Sequence, residues 1–333
     1  MPKIYKDQDA DIKVIKDKQV AVIGYGNQGR SQALNMRDSG LKVIIGSIKD
    51  KSWDKAKEDG FEVMDIPQAA EKAQIIFVLL PDEVAPDVFE SKIKPYLKEG
   101  DVLVFASGYN IYYGYLKVPE FVDLVLLAPR MIGKAVRDLY VQGKGAPSLI
   151  GVGQNFSGKA KDIVLALAKA IGATRAGAIE SSFEEETKTD LLGEQIRGTC
   201  LIFMRRLAFE VMVEAGCSPE VAVLELYASG EDAETFRAAT EKGIWAQLKL
   251  HSPTSQYGQL TRGPRIASES IKKIFQDMMK DIESGRFARE WTLEQKSGKV
   301  VLNRLWSQGL NHPMIEAEKK VFELLGRKPS YEE

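Results

Sequence analysis

The stretch Gln19-Val20-Ala21-Val22-Ile23-Gly24-Tyr25-Gly26-Asn27-Gln28-Gly29 decides the reading of the fold. Its first half is an apolar run that reads as a buried strand, and it leads directly into glycines spaced as GxGxxG. The residues that follow, to Ser39, carry a helical pattern closed by Gly40. Strand, glycine turn and helix in that order make a cradle for a dinucleotide. Gly24 allows the tight turn, Gly26 lets the backbone approach a pyrophosphate, and Gly29 lets the helix pack close on the strand. The helix N-terminus favours the negative charge. The alternative is a plain strand-turn-helix that binds nothing.

Working outward, further apolar runs read as strands at residues 41–46, 73–80, 102–106, 124–128 and 147–152, the second of them stopped by Pro81. Helical segments such as 53–59 and 84–97 lie between them. This alternation predicts an α/β Rossmann-type domain over residues 1–180, with a parallel sheet covered on both faces. Beyond about residue 180 the pattern becomes helical throughout, which predicts an all-α domain over 181–333. Ser182 and Glu185 read as a capping box, and Gly216 supplies a stop about nine turns later. Leu192, Ile196, Phe203, Leu207 and Val211 recur at four-residue spacing with one longer gap. Further helices are expected from Pro219, Asp232, Ser268 and His312.

Composition narrows the function. A chain of 333 residues with 44% hydrophobic and 28% charged residues has material for two cores. A net charge of -1 argues against a nucleic-acid partner, which would call for a basic stripe. The acidic run Glu184-Glu185-Glu186 reads as a solvated helix start. Two cysteines, Cys200 and Cys217, exclude a disulfide framework and a structural zinc cluster and read as buried free thiols. The first residues lack a signal-like apolar run, and no stretch approaches the roughly 20 apolar residues a membrane span needs. A cytoplasmic protein with no membrane partner is expected.

The end of the second strand bears on the cofactor. An acidic residue there grips ribose hydroxyls, whereas basic and hydroxyl groups accept a 2'-phosphate. Ser47, Lys49, Lys51 and Ser52 favour phosphate, and Asp50 pulls the other way. The balance favours NADP, with NAD left open; the lysines also read as ordinary surface residues. Farther on, Asp190 and Glu194 stand four apart on a helix and project from one face. Such a pair can bridge a hard cation such as magnesium, although most are merely solvated.

Several motifs together resemble the ketol-acid reductoisomerase family in its short form. They are Gly24 to Gly29, Leu79-Leu80-Pro81-Asp82-Glu83, the segment from Ile171 to Gly177, Thr189-Asp190-Leu191-Leu192-Gly193-Glu194-Gln195, a looser match from Ser252 to Gly258, and Gly263-Pro264-Arg265. They run in family order over nearly the whole chain. The resemblance implies a knotted helical domain, NADPH as reductant and one or two magnesium ions. It implies conversion of 2-acetohydroxy acids to 2,3-dihydroxy acids in branched-chain amino-acid synthesis. An alkyl migration comes first and a reduction follows. It also implies a homodimer or higher homo-oligomer whose subunits share active sites. By position, Asp190 and Glu194 are metal ligands, Glu225 is a third ligand reaching from the partner, and Ser252 contacts the substrate carboxylate. Tyr25, Gln28, Pro81, Asp82 and Ser107 belong to the cofactor site, and Arg130 to the catalytic set.

The departures fall at the chemistry. Ser107 stands where the family has a histidine, Arg130 where it has a lysine, and Ser229 where it has a second glutamate. Glu231 would need a helix irregularity to substitute for that glutamate. Arg197 shares the helical face of Asp190 and Glu194, where it would pair with them or sit as a surface residue. His251, next to Ser252, is a replacement acid or a structural histidine. Three readings follow: a divergent enzyme of full activity, a reductase acting on another keto acid or imine with the isomerisation lost or altered, and a dinucleotide-binding protein without turnover.

Overall fold

The run Gln19–Ile23 is the second strand of a sheet that, among the described residues, holds nine. In chain order these are β1 (Ile4–Tyr5), β2 (Gln19–Ile23), β3 (Lys42–Gly46), β4 (Glu62–Met64), β5 (Ile75–Val78), β6 (Val102–Phe105), β7 (Asp123–Pro129), β8 (Ser148–Gln154) and β9 (Ala178–Glu180). They are ordered β1-β9-β8-β7-β6-β5-β2-β3-β4 across the sheet. The computed structural model describes residues 1–329.

β2 lies between β3 and β5, parallel to both, with Val20 opposite Val43 and Ile75. That central position explains its unbroken apolar sequence. Val20 and Val22 face one core with Phe77, Val104 and Val125, while Ala21 and Ile23 face the other with Ile76, Leu103 and Leu126. A strand buried on both faces loses the alternation of a half-exposed strand. The helix Asn27–Asp38 follows immediately.

The all-parallel expectation needs correction at two places. β7 and β8 are antiparallel, with Pro129 opposite Ser148, and β1 is antiparallel to β9. The chain leaves β7, forms the helix Gly133–Val141 and reverses through Gly143 and Gly145, both at positive φ. β8 therefore starts opposite the end of β7 instead of crossing over to its beginning. β1, β4 and β9 have two or three residues each, too few for periodicity to reveal them.

The chain divides into two compact units, Met1–Thr189 and the residues from Asp190 onward. The helix Phe183–Gly198 starts with Glu185 N–H donating to Ser182 Oγ at 3.0 Å. Only this half of the expected capping box forms, because the Glu185 carboxylate accepts from the Ser181 hydroxyl at 2.7 Å instead. The helix passes through a π-helical turn, Thr199–Phe203, into Met204–Glu214. Helices also occupy Pro219–Val223, Glu231–Lys242, Glu269–Glu283 and Pro313–Leu324. Pro253–Ile266, Arg286–Lys296 and Val300–Leu310 are helices that the sequence reading leaves out; the first contains Pro264 in its interior, which disguises it.

The second unit buries a small cluster, Phe209, Ala222, Val223, Ala228, Ala317 and Val321. Large apolar side chains on the same unit stay exposed, among them Leu201, Ile202, Phe203, Phe236, Trp245 and Trp306. Cys200 and Cys217 are exposed, not buried as their helical setting suggests. Cys200 sits in the π-helical turn, and Cys217 follows the Gly216 stop. Among the described residues no helix is long and apolar enough to cross a membrane.

Candidate active site

The carboxyl ends of β2, β3, β5 and β6 open into a cleft of about 620 Å³ in the first unit. Each glycine of the turn has its own reason to be there. Gly24 has φ +93°, and a Cβ on it would lie 2.6 Å from the Leu79 carbonyl oxygen. A Cβ on Gly29 would lie 2.1 Å from the Gly24 carbonyl oxygen. A Cβ on Gly26 would meet nothing within 4 Å, because this residue faces open space in the cleft wall. Gly26 is also the N-cap of the helix Asn27–Asp38, with no side chain capping its first N–H groups. Uncapped N–H groups beside a bare backbone suit a pyrophosphate.

Tyr25 braces this turn. Its buried hydroxyl donates to Asp59 Oδ2 at 2.9 Å. Arg30 grips the same carboxylate through Nε at 2.7 Å and Nη2 at 3.1 Å, and Arg37 donates to the Asp59 carbonyl at 2.6 Å. Burial, then the contact with Asp59, pushes the Tyr25 phenol far up, so it stays a neutral donor. The Arg30 hydrogen bonds hold the Asp59 carboxyl below its ordinary value despite partial burial. Asp59 follows the helix Lys51–Glu58, so the network ties the glycine turn to the helix behind the β3 loop.

In that loop Ser47, Ile48, Asp50 and Ser52 line the cleft. Asp50 Oδ1 accepts from Ser52 N–H at 3.0 Å and Trp53 N–H at 3.1 Å, capping the helix Lys51–Glu58. Of the cofactor contacts expected from sequence, Gly24, Tyr25, Gly26, Gln28, Ser47, Ser52, Pro81, Asp82 and Ser107 line the cleft. Gly29 does not, because it is spent on packing against Gly24. Lys49 is exposed and also lies outside the lining.

At the β6 end sits a residue the sequence reading missed. Glu184 and Glu185 are exposed as expected, but Glu186 is only 1% exposed. Successive helical positions turn by about 100°, so one glutamate of three consecutive ones can face inward. Its Oε2 accepts from Gly108 N–H at 2.6 Å, and its Oε1 lies 3.2 Å from Arg130 Nη1. The approach is close: a Cβ on Gly108 would lie 2.3 Å from the Phe183 carbonyl oxygen. The segment after Arg130 is fixed to the glycine helix as well. Gln28 Nε2 donates to the Met131 carbonyl at 2.8 Å, and Lys134 N–H donates to Asn27 Oδ1 at 3.0 Å. Ser107 Oγ accepts weakly from Tyr109 N–H at 3.3 Å.

The second unit carries the remaining expected residues. Asp190 is half-buried and Glu194 exposed, one turn apart on the helix Phe183–Gly198. Arg197 is exposed, and no ion pair joins it to either carboxylate among the described residues. Glu225 is exposed within a π-helical turn, Leu224–Ala228. The irregularity needed to recruit Glu231 thus exists, yet Glu231 opens the next helix beyond Gly230, at φ +92°. Among the described residues no three His, Cys, Asp or Glu side chains gather as a metal site. Ser252 is the N-cap of Pro253–Ile266 and accepts Ser255 N–H at 3.2 Å, while His251 Nε2 lies 3.2 Å from Gln247 Oε1.

A glycine-cradled cleft at a sheet switch point, with a helical unit following it in the chain, defines a Rossmann-type nicotinamide-dinucleotide oxidoreductase. The family model described as acetohydroxy acid isomeroreductase, NADPH-binding domain, matches residues 14–177, and that of the ketol-acid reductoisomerase C-terminal domain matches residues 183–326. The chain belongs to the ketol-acid reductoisomerase family. It is 49% identical over 326 residues to the putative ketol-acid reductoisomerase 3 of Saccharolobus solfataricus, covering 97% of this chain and 98% of that one. It is 46% identical to the ketol-acid reductoisomerase (NADP(+)) of Methanopyrus kandleri, covering 98% and 99%. A solved NADH-preferring ketol-acid reductoisomerase from an uncultured archean matches with a TM-score of 0.92 and 39% identity, covering 97% and 99%.

Proposed function

We propose that the chain reduces a small 2-keto or 2-acetohydroxy acid with NADPH, as a homodimer or higher homo-oligomer whose copies share active sites. The observation that carries this reading is the cleft over β2, β5 and β6, where Gly26 presents bare backbone and Gly29 brings the helix start close. A bound reduced nicotinamide supplies the hydride. Arg130, held by Glu186, acts as an anion clamp for the substrate, since a guanidinium stays charged and hands over no proton. Ser252 contacts the substrate carboxylate, and His251 beside it delivers the proton. Ser47 and Ser52 receive the 2'-phosphate; Asp50 opposes it, which leaves NADH as the competing cofactor.

Asp190 and Glu194 hold magnesium in this reading, being hard oxygen donors one turn apart. Glu225 of a second copy completes the set. The exposed apolar surface of the second unit, from Leu201 to Phe203 and around Trp245 and Trp306, supports such pairing. Two exposed free thiols fit a reducing cytoplasm.

A second reading, reduction without isomerisation, is favoured by one specific set of residues. Ser107, Arg130 and Ser229 remove an imidazole, a lysine and a carboxylate from positions where the family concentrates its chemistry. Alkyl migration needs concentrated positive charge on the substrate oxygens, which two metals supply, whereas reduction asks less. NADPH oxidation with 2-acetolactate and with 3-hydroxy-3-methyl-2-ketobutyrate, each with and without magnesium, separates the two. Magnesium-dependent turnover of both substrates rejects the second reading. Turnover of the keto acid alone rejects full activity, and tight NADPH binding without turnover of either rejects both substrates.

A further inference from the structure

Asn110 is left half satisfied in the cleft wall. It belongs to the short helix Tyr109–Tyr112 beyond β6, is 4% exposed and lines the cleft. Its Nδ2 donates to the Asp82 carbonyl at 3.2 Å and to Asp82 Oδ1 at 3.1 Å. Those two acceptors fix the amide, because a flipped amide would set Oδ1 against both oxygens. Oδ1 is then buried without a hydrogen-bond partner among the described residues. A buried acceptor with no donor is costly, and a native protein keeps one where something else completes it.

The neighbours say what that is. Ser47 and Ser52 mark one end of the cleft, at β3; Pro81, Asp82 and Ser107 flank Asn110 at the other, beyond β5 and β6. With its pyrophosphate on the glycine turn, a dinucleotide lying across these strand ends brings its nicotinamide riboside half to Asn110. That half offers two kinds of donor, the ribose hydroxyls and the carboxamide NH₂. We infer that Asn110 Oδ1 accepts a hydrogen bond from the nicotinamide riboside half of the dinucleotide and so fixes how that half is presented. The inference rests on the dinucleotide reading above.

Binding to the full chain tests it without turnover. The probes are NADPH, its 3-acetylpyridine analogue, which lacks the amide N–H, and 2',5'-ADP, which fills only the adenine end. Asn110→Leu should weaken NADPH roughly three- to tenfold and leave 2',5'-ADP within about twofold. Asn110→Asp keeps an acceptor but sets it against Asp82, and should retain more NADPH affinity than the leucine variant. If the carboxamide is the donor, the analogue binds the wild type less tightly than NADPH does, and the leucine variant binds it no worse. If a ribose hydroxyl is the donor, the analogue follows NADPH in both proteins. Unchanged NADPH affinity in the leucine variant, equal weakening of NADPH and 2',5'-ADP, or an aspartate variant no better than leucine overturns the inference. Should the leucine variant not fold, as circular dichroism and its thermal melt would reveal, Asn110→Ser takes its place with the same outcomes. A wild type that binds none of the probes overturns the dinucleotide reading instead.

Discussion

Replacing Glu186 probes the contact that joins the Gly108 turn to Arg130. The carboxylate is 1% exposed, takes Gly108 N–H at 2.6 Å and lies 3.2 Å from Arg130 Nη1. Glu186→Gln preserves volume and one acceptor oxygen and removes the charge. A hydrogen bond to a charged group contributes about 1.5–3 kcal/mol and a neutral one about 1, so the change at Gly108 costs about 1 kcal/mol. The Arg130 pair adds less than a fully buried pair would. The Arg130 side chain is 33% exposed and partly screened, which leaves about 0.5–1 kcal/mol. The glutamine variant should therefore lose about 1.5–2 kcal/mol. Glu186→Ala also orphans the Gly108 N–H and should lose a further ~1–3 kcal/mol. In a unit of this size each kcal/mol lowers the thermal midpoint by about 2–4 °C, so the glutamine variant should melt about 3–8 °C early. Calorimetry of wild type, Glu186→Gln, Arg130→Ala and the double variant closes a cycle. Arg130→Ala should cost less in the glutamine background than in the wild type. An unchanged midpoint for Glu186→Gln, or equal costs of Arg130→Ala in both backgrounds, refutes the coupling.

Gly29→Ala places a Cβ 2.1 Å from the Gly24 carbonyl oxygen, so the turn must move; if the strain of about 1–3 kcal/mol falls on the bound turn, NADPH affinity by titration should fall at least about fivefold. Asp59 has a lowered folded pKa, so its contribution is present above the ordinary carboxylate range and disappears as pH falls through the folded value. Urea midpoints of Asp59→Asn should therefore lie below wild type at neutral pH and converge with it below about pH 4. His312 caps the helix Pro313–Leu324, with Nδ1 accepting Met314 N–H at 3.2 Å and Nε2 3.0 Å from Glu210 Oε1. His312→Ala should destabilise the second unit by about 0.5–2 kcal/mol in denaturant melts, and His312→Asn should restore most of it.

What was legible in the sequence follows from the lengths over which physics leaves a mark. β2, β5, β6 and β7 are buried on both faces and announce themselves as apolar runs. β1, β4 and β9 are too short to do so, and the antiparallel β7–β8 pair needs to know where the chain turns, which no run of residue types states. The glycine turn was readable because each glycine answers a local backbone demand. Lys49 lies outside the cleft lining, and whether a lysine reaches a cleft depends on the path of its loop, which residue types do not state. Glu186 shows the same limit from the other side. Three adjacent glutamates look alike in sequence, and only the helix phase against Gly108 and Arg130 selects the one that is buried. Asn110 carries no mark in the sequence, and its half-satisfied amide is a fact of geometry alone.

The two units also differ in what they complete by themselves. The first buries the central strands of its sheet on both faces and ties the glycine turn beside its cleft to Asp59 through Tyr25 and Arg30. The second buries six residues in its cluster and leaves Leu201, Ile202, Phe203 and Trp306 facing outward. Covering such surface would add to the stability of a helical unit of that size, and in the proposed oligomer a second copy offers an equally apolar face. The same unit holds Asp190 and Glu194, the ligands proposed for magnesium; no third His, Cys, Asp or Glu side chain gathers with them among the described residues, and its Glu225 is exposed. Exposed apolar surface and the carboxylates of the proposed metal site occur on one unit. In the proposed oligomer a single association covers that surface and completes that site, so the metal site would exist only where the apolar surface is also covered.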